Sequence, residues 1–378
     1  MSDIYLDNNA TTRPLSEVVE TVARHLCESY GNPSSRHGLG RTARRVLEDS
    51  REQIALILGA LPSELIFTSG GTEANNLAVL GLTAANPATI VASPGEHPSN
   101  LEACRIREQQ GWTLERLPVD RSGLFEPDAG FWNQGDWSSV RLAAVILAHN
   151  ETGVIQTVRP LIERAARHGF AVHLDGVQAV GKLPVHFRDL GATTLSFGAH
   201  KFHGPRGVGG LLVRDGMRLA TGFAVGGLQE SSRRAGTEPV ALIAGMAKAL
   251  ELWNQSQAER MSRVQSLRDR LEQQLQEQAA PAVVNGLSAA RLPNTLNISF
   301  PGVDGETLLV ALDLEGIQCS LGSACASGSI EPTPILVAMG LSPDLYRSAV
   351  RLTLSCLTTQ DEIDEATRRI AEVVKHLR

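Results

Sequence analysis

The chain has 378 residues, 42% of them hydrophobic and 20% charged, with a formal net charge of −6 at pH 7. These are the proportions of a soluble globular protein long enough for a large domain and a smaller one. The negative balance offers no global positive field to draw in nucleic acid or a membrane surface.

In chain order, the amino-terminal "MSDIYLDNNATTRP" lacks a basic leader followed by an apolar run, so no secretory signal is expected. Residues 64–69, 88–93, 140–148, 170–175, 193–197 and 208–213 are near-continuously apolar and read as strands buried on both faces. Between them, helical periodicity covers 40–59, 73–85, 98–111 and 160–169, and Arg41, Arg44 and Arg45 are expected on a solvated helix face. Strands alternating with helices predict an α/β fold with a largely parallel sheet. From Pro239 to about Gln278 the pattern becomes one long helix, with Met261, Val264, Leu267, Leu271 and Leu275 forming an apolar stripe. The remainder reads as a smaller α+β unit. We expect a large domain at 15–255 and a small one at 256–378, with segment 1–14 folding onto the latter.

The five cysteines, Cys27, Cys104, Cys319, Cys325 and Cys356, include no CxxC pair, so neither a disulfide framework nor a zinc site is indicated. No apolar run reaches the roughly 18 residues of a spanning helix, and a reducing, cytoplasmic setting is expected. Cys27 and Cys104 fall in helical patterns and Cys319 in a strand, where buried, inert thiols are common. Cys325 differs: in "SLGSACASGS" it is surrounded by small, uncharged residues that cannot build a core. It is either incidental or carried by a loop made to move it.

Three stretches carry chemistry. "TSGGTEANN" (68–76) follows a strand and opens a helix, so the amides of Gly70 and Gly71 and the Thr72 hydroxyl can close around an anion. In "HLDGVQAVGK" (173–182), Asp175 ends a buried strand, either as a turn cap or at the place where open α/β sheets bind ligands. In "SFGAHKFHGPRGVGG" (196–210), Lys201 stands between an apolar strand and a glycine-rich turn, either snorkelling outward or partly desolvated and able to form a Schiff base. A phosphate cradle, a carboxylate for a ring nitrogen and a Schiff-base lysine are together what pyridoxal 5′-phosphate needs.

With these motifs in order, from "IYLDNNATT" and "GNPSSRHGLG" through "FTSGGTEANN", "NETG", "DGVQAVGKLP", "HKFHGPRGVG" and "RRAGTEPV" to "GSACASGS", the chain resembles the class V branch of fold-type I pyridoxal-phosphate enzymes. More narrowly, it is similar to cysteine desulfurases of the iron–sulfur-cluster-assembly type. The resemblance implies a mostly parallel sheet of the seven-stranded type and a catalytic cysteine loop at about 319–332. It implies that Lys201 holds the cofactor and acts as base, Asp175 contacts the pyridinium nitrogen and Gln178 the phenolic oxygen, and His97 stacks over the ring and helps move protons. Gly71, Thr72 and His200 would surround the phosphate, joined by Thr237 from a second subunit of a homodimer. Asn150 and Arg351 would hold the substrate carboxylate. Cys325 would be the nucleophile, taking sulfur from L-cysteine as a persulfide, releasing L-alanine and passing the sulfur to an acceptor protein. No resident metal is implied, Cys325 being at most a transient iron–sulfur ligand, and neither nucleic-acid nor membrane binding is expected.

The sequence departs from the family pattern at Gly198, where a phosphate-binding serine is usual, at His149, where asparagine is common, and at Ser355–Cys356, where a glycine–arginine pair is usual. A selenocysteine (C–Se) lyase, a C–S lyase and an aminotransferase share the fold, although an aminotransferase needs no loop thiol. A weakly active sulfur-relay partner is the more distant alternative.

Overall fold

The structure is a computed structural model, and it describes residues 3–84, 86–126, 129–220, 225–321 and 333–378. Among them are the strands β1 Ile4–Tyr5, β2 Leu65–Thr68, β3 Thr89–Ala92, β4 Thr113–Arg116, β5 Val140–Ile146, β6 Ala171–Asp175, β7 Thr194–Gly198, β8 Gly209–Val213, β9 Val283–Val284, β10 Thr295–Ser299, β11 Ile317–Gln318 and β12 Ala349–Thr353.

Seven of these form one sheet in the order β2-β8-β7-β6-β5-β3-β4. The pairings β4/β3, β3/β5, β5/β6 and β6/β7 are parallel, and β8 runs antiparallel to both β7 and β2. The expected apolar strands therefore appear within two residues of their sequence bounds. The edge strand β4, reading TLER, was not expected from the sequence: its side chains are exposed or half-buried, so it lacks the apolar run that marked the others. Cys27 lies in helix Ser16–Glu28, in keeping with its helical pattern, but there it is exposed rather than buried. Cys104 is fully buried as expected, and burial pushes its thiol up to about 12.

The carboxyl ends of β5, β6 and β7 open on the same side, the usual ligand edge of an open α/β sheet. Helix Gly71–Leu82 packs over β6, β7 and β8. Its approach depends on a glycine in β8, because a Cβ on Gly209 would stand 2.5 Å from the Phe197 carbonyl oxygen and 2.7 Å from Gly70 Cα.

The long helix runs Val240–Gln278 and breaks at Ser256 (φ −137°, ψ 22°). Before the break, Ile243, Met246 and Leu250 pack in the cluster that contains Leu195 and Phe197 of the large sheet. After it, Val264, Leu267, Leu271 and Leu275 join a separate cluster with Leu296, Ile298, Leu352 and Ile363. Met261, expected in that stripe, packs against the first cluster instead. The second cluster is covered by the antiparallel sheet β12-β10-β9. The amino-terminal strand β1 pairs with β11, and Asp7 bridges to Thr353, so the segment after Asp7 crosses from the small sheet to the end of β7.

Candidate active site

At the carboxyl edge of the large sheet lies a cavity of about 360 Å³. Gly71, Thr72, His97, Asn150, Asp175, Gln178, His200, Lys201 and Arg351 all line it, so nine of the residues singled out from sequence converge on one space. Asp175 ends β6, Lys201 ends the single turn after β7, and Gly71 and Thr72 begin a helix whose first amides are without intrahelical acceptors. Arg351 reaches in from β12.

Asp175 is 3% exposed and accepts from Val177 N at 3.0 Å and from Asn75 Nδ2 at 2.7 Å. The Asn75 amide cannot turn over. Its Oδ1 accepts from Ser196 Oγ and from His173 Nε2, the latter at 3.1 Å. His173 is buried, which lowers it to about 4 and leaves it neutral, with Nδ1 free to accept from Thr194 Oγ1. Asn75 Nδ2 also donates to Ser99 Oγ at 2.8 Å, so the Ser99 hydroxyl proton points on to His97 Nδ1, 2.7 Å away. Ser99 N donates to the same Nδ1 at 3.1 Å. His97 therefore carries its proton on Nε2. Burial lowers the His97 pKa, with Asp175 opposing and Lys201 assisting. Asn75 and Ser99 were not singled out from sequence; a buried, helix-borne asparagine has no periodicity signal of its own.

Lys201 Nζ donates to the carbonyl oxygens of Asn9 at 2.6 Å and Ala10 at 2.9 Å. Asn9 O also accepts from Gln178 Nε2 at 2.9 Å, and Gln178 Oε1 accepts from Lys182 Nζ. Lys182 is buried and also donates to Asn9 Oδ1 at 2.8 Å. Burial, then Lys201 and Arg351, holds its pKa well below the usual lysine range. Asn9 and Lys182 lie inside motifs that carried the resemblance, but sequence gave neither a role.

Arg351 is 2% exposed; Nη2 pairs with Asp7 Oδ1 at 2.7 Å and Nη1 donates to the Asn150 carbonyl at 3.3 Å. Its Nε is buried without an acceptor, a donor left for an anion entering the cavity. His200 Nδ1 lies 3.2 Å from Thr11 Oγ1, and burial, Lys201 and Arg206 lower it to about 4, so it offers a neutral ring. His149, buried and lowered to about 4 by burial, bonds the Gly95 carbonyl at 2.8 Å and supports the turn before His97. Thr237 is exposed and lies away from the cavity lining. Cys325 falls outside the described residues.

Gly198 is buried beside the cradle, where a Cβ would stand 3.3 Å from Gly71 N. A serine there would bring its hydroxyl next to the helix amides that face the cavity. Gly198→Ser is expected to tighten retention of a phosphate-bearing cofactor about fivefold, the worth of one net hydrogen bond of ~1 kcal/mol. Equilibrium dialysis of pyridoxal phosphate against both proteins checks this.

Glu96 lies behind the cavity, 6% exposed, accepting from Ile146 N at 2.9 Å and Asn100 Nδ2 at 2.9 Å. Burial raises its carboxyl from 4.5 to about 8; those hydrogen bonds oppose the shift and Asp175 adds to it. The neighbouring Asn100 Oδ1 has no donor, which the proton of a neutral Glu96 can supply after the amide turns over. Between pH 4.5 and about 8 the unfolded chain loses this proton while the folded chain keeps it, so this contribution to stability falls as pH rises through that window. Glu96→Gln is expected to match the wild type in urea midpoint at about pH 5 and to exceed it at about pH 8.

The residues fit a pyridoxal phosphate group on the structure's own terms. The cavity joins a helix amino end with glycine at its first position, a buried carboxylate, an amine and an orphaned guanidinium nitrogen.

Residues 4–366 match the family model described as aminotransferase class-V. The full chain is 39% identical to cysteine desulfurase IscS of Dictyoglomus turgidum and covers 95% of that protein. A solved structure of a NifS-like protein superposes with a TM-score of 0.90 at 33% identity, over 99% of this chain and 100% of the other. That of SspA in complex with cysteine superposes at 0.81 and 28% identity, over 94% and 99%. The chain belongs to the class-V aminotransferase family, and the branch to which it is similar over its whole length depends on pyridoxal phosphate. Within that family its activity is that of a cysteine desulfurase.

Proposed function

We propose that the cavity takes L-cysteine, that Cys325 receives its sulfur as a persulfide and L-alanine leaves, and that an acceptor protein then takes the sulfur. The observation that carries this is the convergence of Lys201, Asp175, Arg351 and the Gly71–Thr72 helix end on one cavity. When bound there, pyridoxal phosphate supplies an electron sink for the charge left when a bond at the substrate's α-carbon breaks.

The roles of the chain's own residues follow from position. Gly71 N, the Thr72 hydroxyl and His200 would hold the phosphate, and Asp175 would hold a proton on the ring nitrogen. Gln178, its amide fixed by Asn9 and Lys182, would turn its second N–H to the phenolic oxygen. His97 would cover the ring face with Nε2–H available. Arg351 Nε and Asn150 would orient the substrate carboxylate, with Asp7 keeping the guanidinium in place. Lys201 Nζ would bond the cofactor at rest and, when free, would move the proton at the substrate's α-carbon. Attack of the Cys325 thiolate on the substrate sulfur would then break the C–S bond. Thr237, exposed here, would reach the phosphate of a second copy of the chain, making the enzyme a homodimer. The free thiols of Cys27, Cys104, Cys319 and Cys356 fit a reducing cytoplasm. No helix among the described residues is long and apolar enough to cross a membrane.

Cys325→Ser with L-cysteine tests the reading. Alanine formation is expected to fall by at least about 10²-fold, as for loss of a positioned nucleophile, and mass spectrometry should find the added sulfur on Cys325 only in the parent. Undiminished alanine production by the variant would refute it.

A further inference from the structure

The turn at residues 355–358, just after β12, sets another thiol on the far side of Lys201. Cys356 Sγ lies 3.4 Å from His203 Nε2. His203 Nδ1 lies 2.8 Å from the Arg13 carbonyl oxygen, which can only accept, so Nδ1 carries the ring proton and Nε2 faces the thiol as an acceptor. A thiol, a base and a group that orients the base make the arrangement that activates a nucleophile. Both partners are pinned. His203 is held at φ 67°, in the left-handed region, with its N–H donating to Thr12 Oγ1 at 2.7 Å. Arg263 donates to the carbonyls of Cys356 at 2.7 Å and Thr358 at 2.6 Å. The pair borders a separate cavity of about 50 Å³, walled by Phe202, Trp253 and Leu354 and sharing Lys201 with the active site.

We propose that Cys356 and His203 form a second reactive thiol site that attacks the S–S bond of low-molecular-weight disulfides or persulfides. As Sγ bonds to one sulfur of the reagent, the thiol proton passes to His203 Nε2 and the reagent's S–S bond breaks. The departing sulfur takes the proton and leaves as a thiol or as hydrogen sulfide. The two electrons lost by Cys356 are those gained by the leaving sulfur, so no further oxidant enters. A disulfide leaves a mixed disulfide on Cys356, and a persulfide leaves a persulfide.

The surrounding charges define how the site responds to pH. Burial pushes the Cys356 thiol up, while Arg260 and Arg263 from the long helix pull it back. Burial lowers His203 to about 4; the Arg13 carbonyl opposes this, and Arg260 and Lys182 add to it. The resting pair is a neutral thiol and a neutral imidazole, so attack assisted by His203 proceeds at a rate independent of pH from about 5 to 8. An ordinary exposed thiol instead reacts in proportion to its thiolate fraction, about tenfold faster per pH unit.

The test treats the holoenzyme with dipyridyl disulfide in one arm and inorganic hydrodisulfide in the other, reading each cysteine by peptide mass spectrometry. In at least one arm Cys356 should react at a rate constant to within about twofold across that range, while free glutathione, an ordinary exposed thiol in the same mixture, accelerates with pH. His203→Asn, which tolerates left-handed backbone, should slow Cys356 at least about tenfold near pH 6 and restore the rise with pH. Reaction in only one arm identifies the sulfur source and supports the site. Cys356 unreactive in both arms, or tracking the pH dependence of glutathione, overturns it, and that comparison stands even if the His203 variant does not fold.

Discussion

Lys201→Ala is expected to lower alanine formation from L-cysteine by at least about 10³-fold, within the range for loss of a proton-transferring group, and to leave a protein that releases pyridoxal phosphate on desalting. The amine sits at the cavity wall with two carbonyl oxygens as its neighbours, Asn9 O and Ala10 O. Those contacts aim Nζ without neutralising it. The fold should survive the change, because Asn9 O keeps the Gln178 amide as a donor when Lys201 is removed. Lys201→Arg separates charge from nucleophilicity: a guanidinium can still donate to both carbonyls but neither bonds a carbonyl carbon nor gives up a proton. Equal loss in both variants, with unperturbed circular dichroism, is the expected result. Activity retained by the arginine variant would mean that Lys201 acts only as a charge.

The large sheet was legible because its central strands are buried on both faces and so are written as apolar runs, as in β5, where only Arg141 is exposed. The edge strand β4 carries no such run, and its place is set by pairing with β3 rather than by its own residues. The long helix was legible in extent but not at its break. Nothing in "WNQSQAERM" announces the change at Ser256, which follows from two clusters competing for one helix. We propose that this break is where the large and small units meet, next to the expected boundary. The site was legible where a residue type is costly in its local setting, as with Asp175 at a buried strand end and Lys201 after one. Residues that act by holding others were not. Asn75, Ser99, Lys182 and Asn9 are polar side chains that each have at least one partner more than 20 residues away, Ser99 through Asn75 and Lys182 through Asn9, and distance along the chain hides those contacts.

Asn9 shows how much such a residue can carry. It is 1% exposed, and its side chain makes four hydrogen bonds: Nδ2 to Asn150 O at 2.9 Å and Thr295 Oγ1 at 3.0 Å, and Oδ1 from Lys182 Nζ at 2.8 Å and Asn294 Nδ2 at 3.1 Å. Asn9→Ala removes all four, but the loss is uneven. Asn150 O keeps Arg351, and Asn294 Nδ2 keeps Leu354 O. Lys182 is left in the interior with Gln178 alone, and that one buried donor sets the cost. The substitution should destabilise the protein by about 3 kcal/mol, the upper end for an unsatisfied buried group, seen as a lower urea midpoint with an unchanged slope. Catalysis should suffer as well, because the Asn9 carbonyl aims both Lys201 and Gln178; a shift near 1 Å can cost about 10²-fold. Asn9→Asp keeps an acceptor for Lys182 and loses the two donors, so it should cost less stability than alanine does. The reverse order would show that the contacts to Asn150 and Thr295, not the buried lysine, make Asn9 the joint between the two sheets.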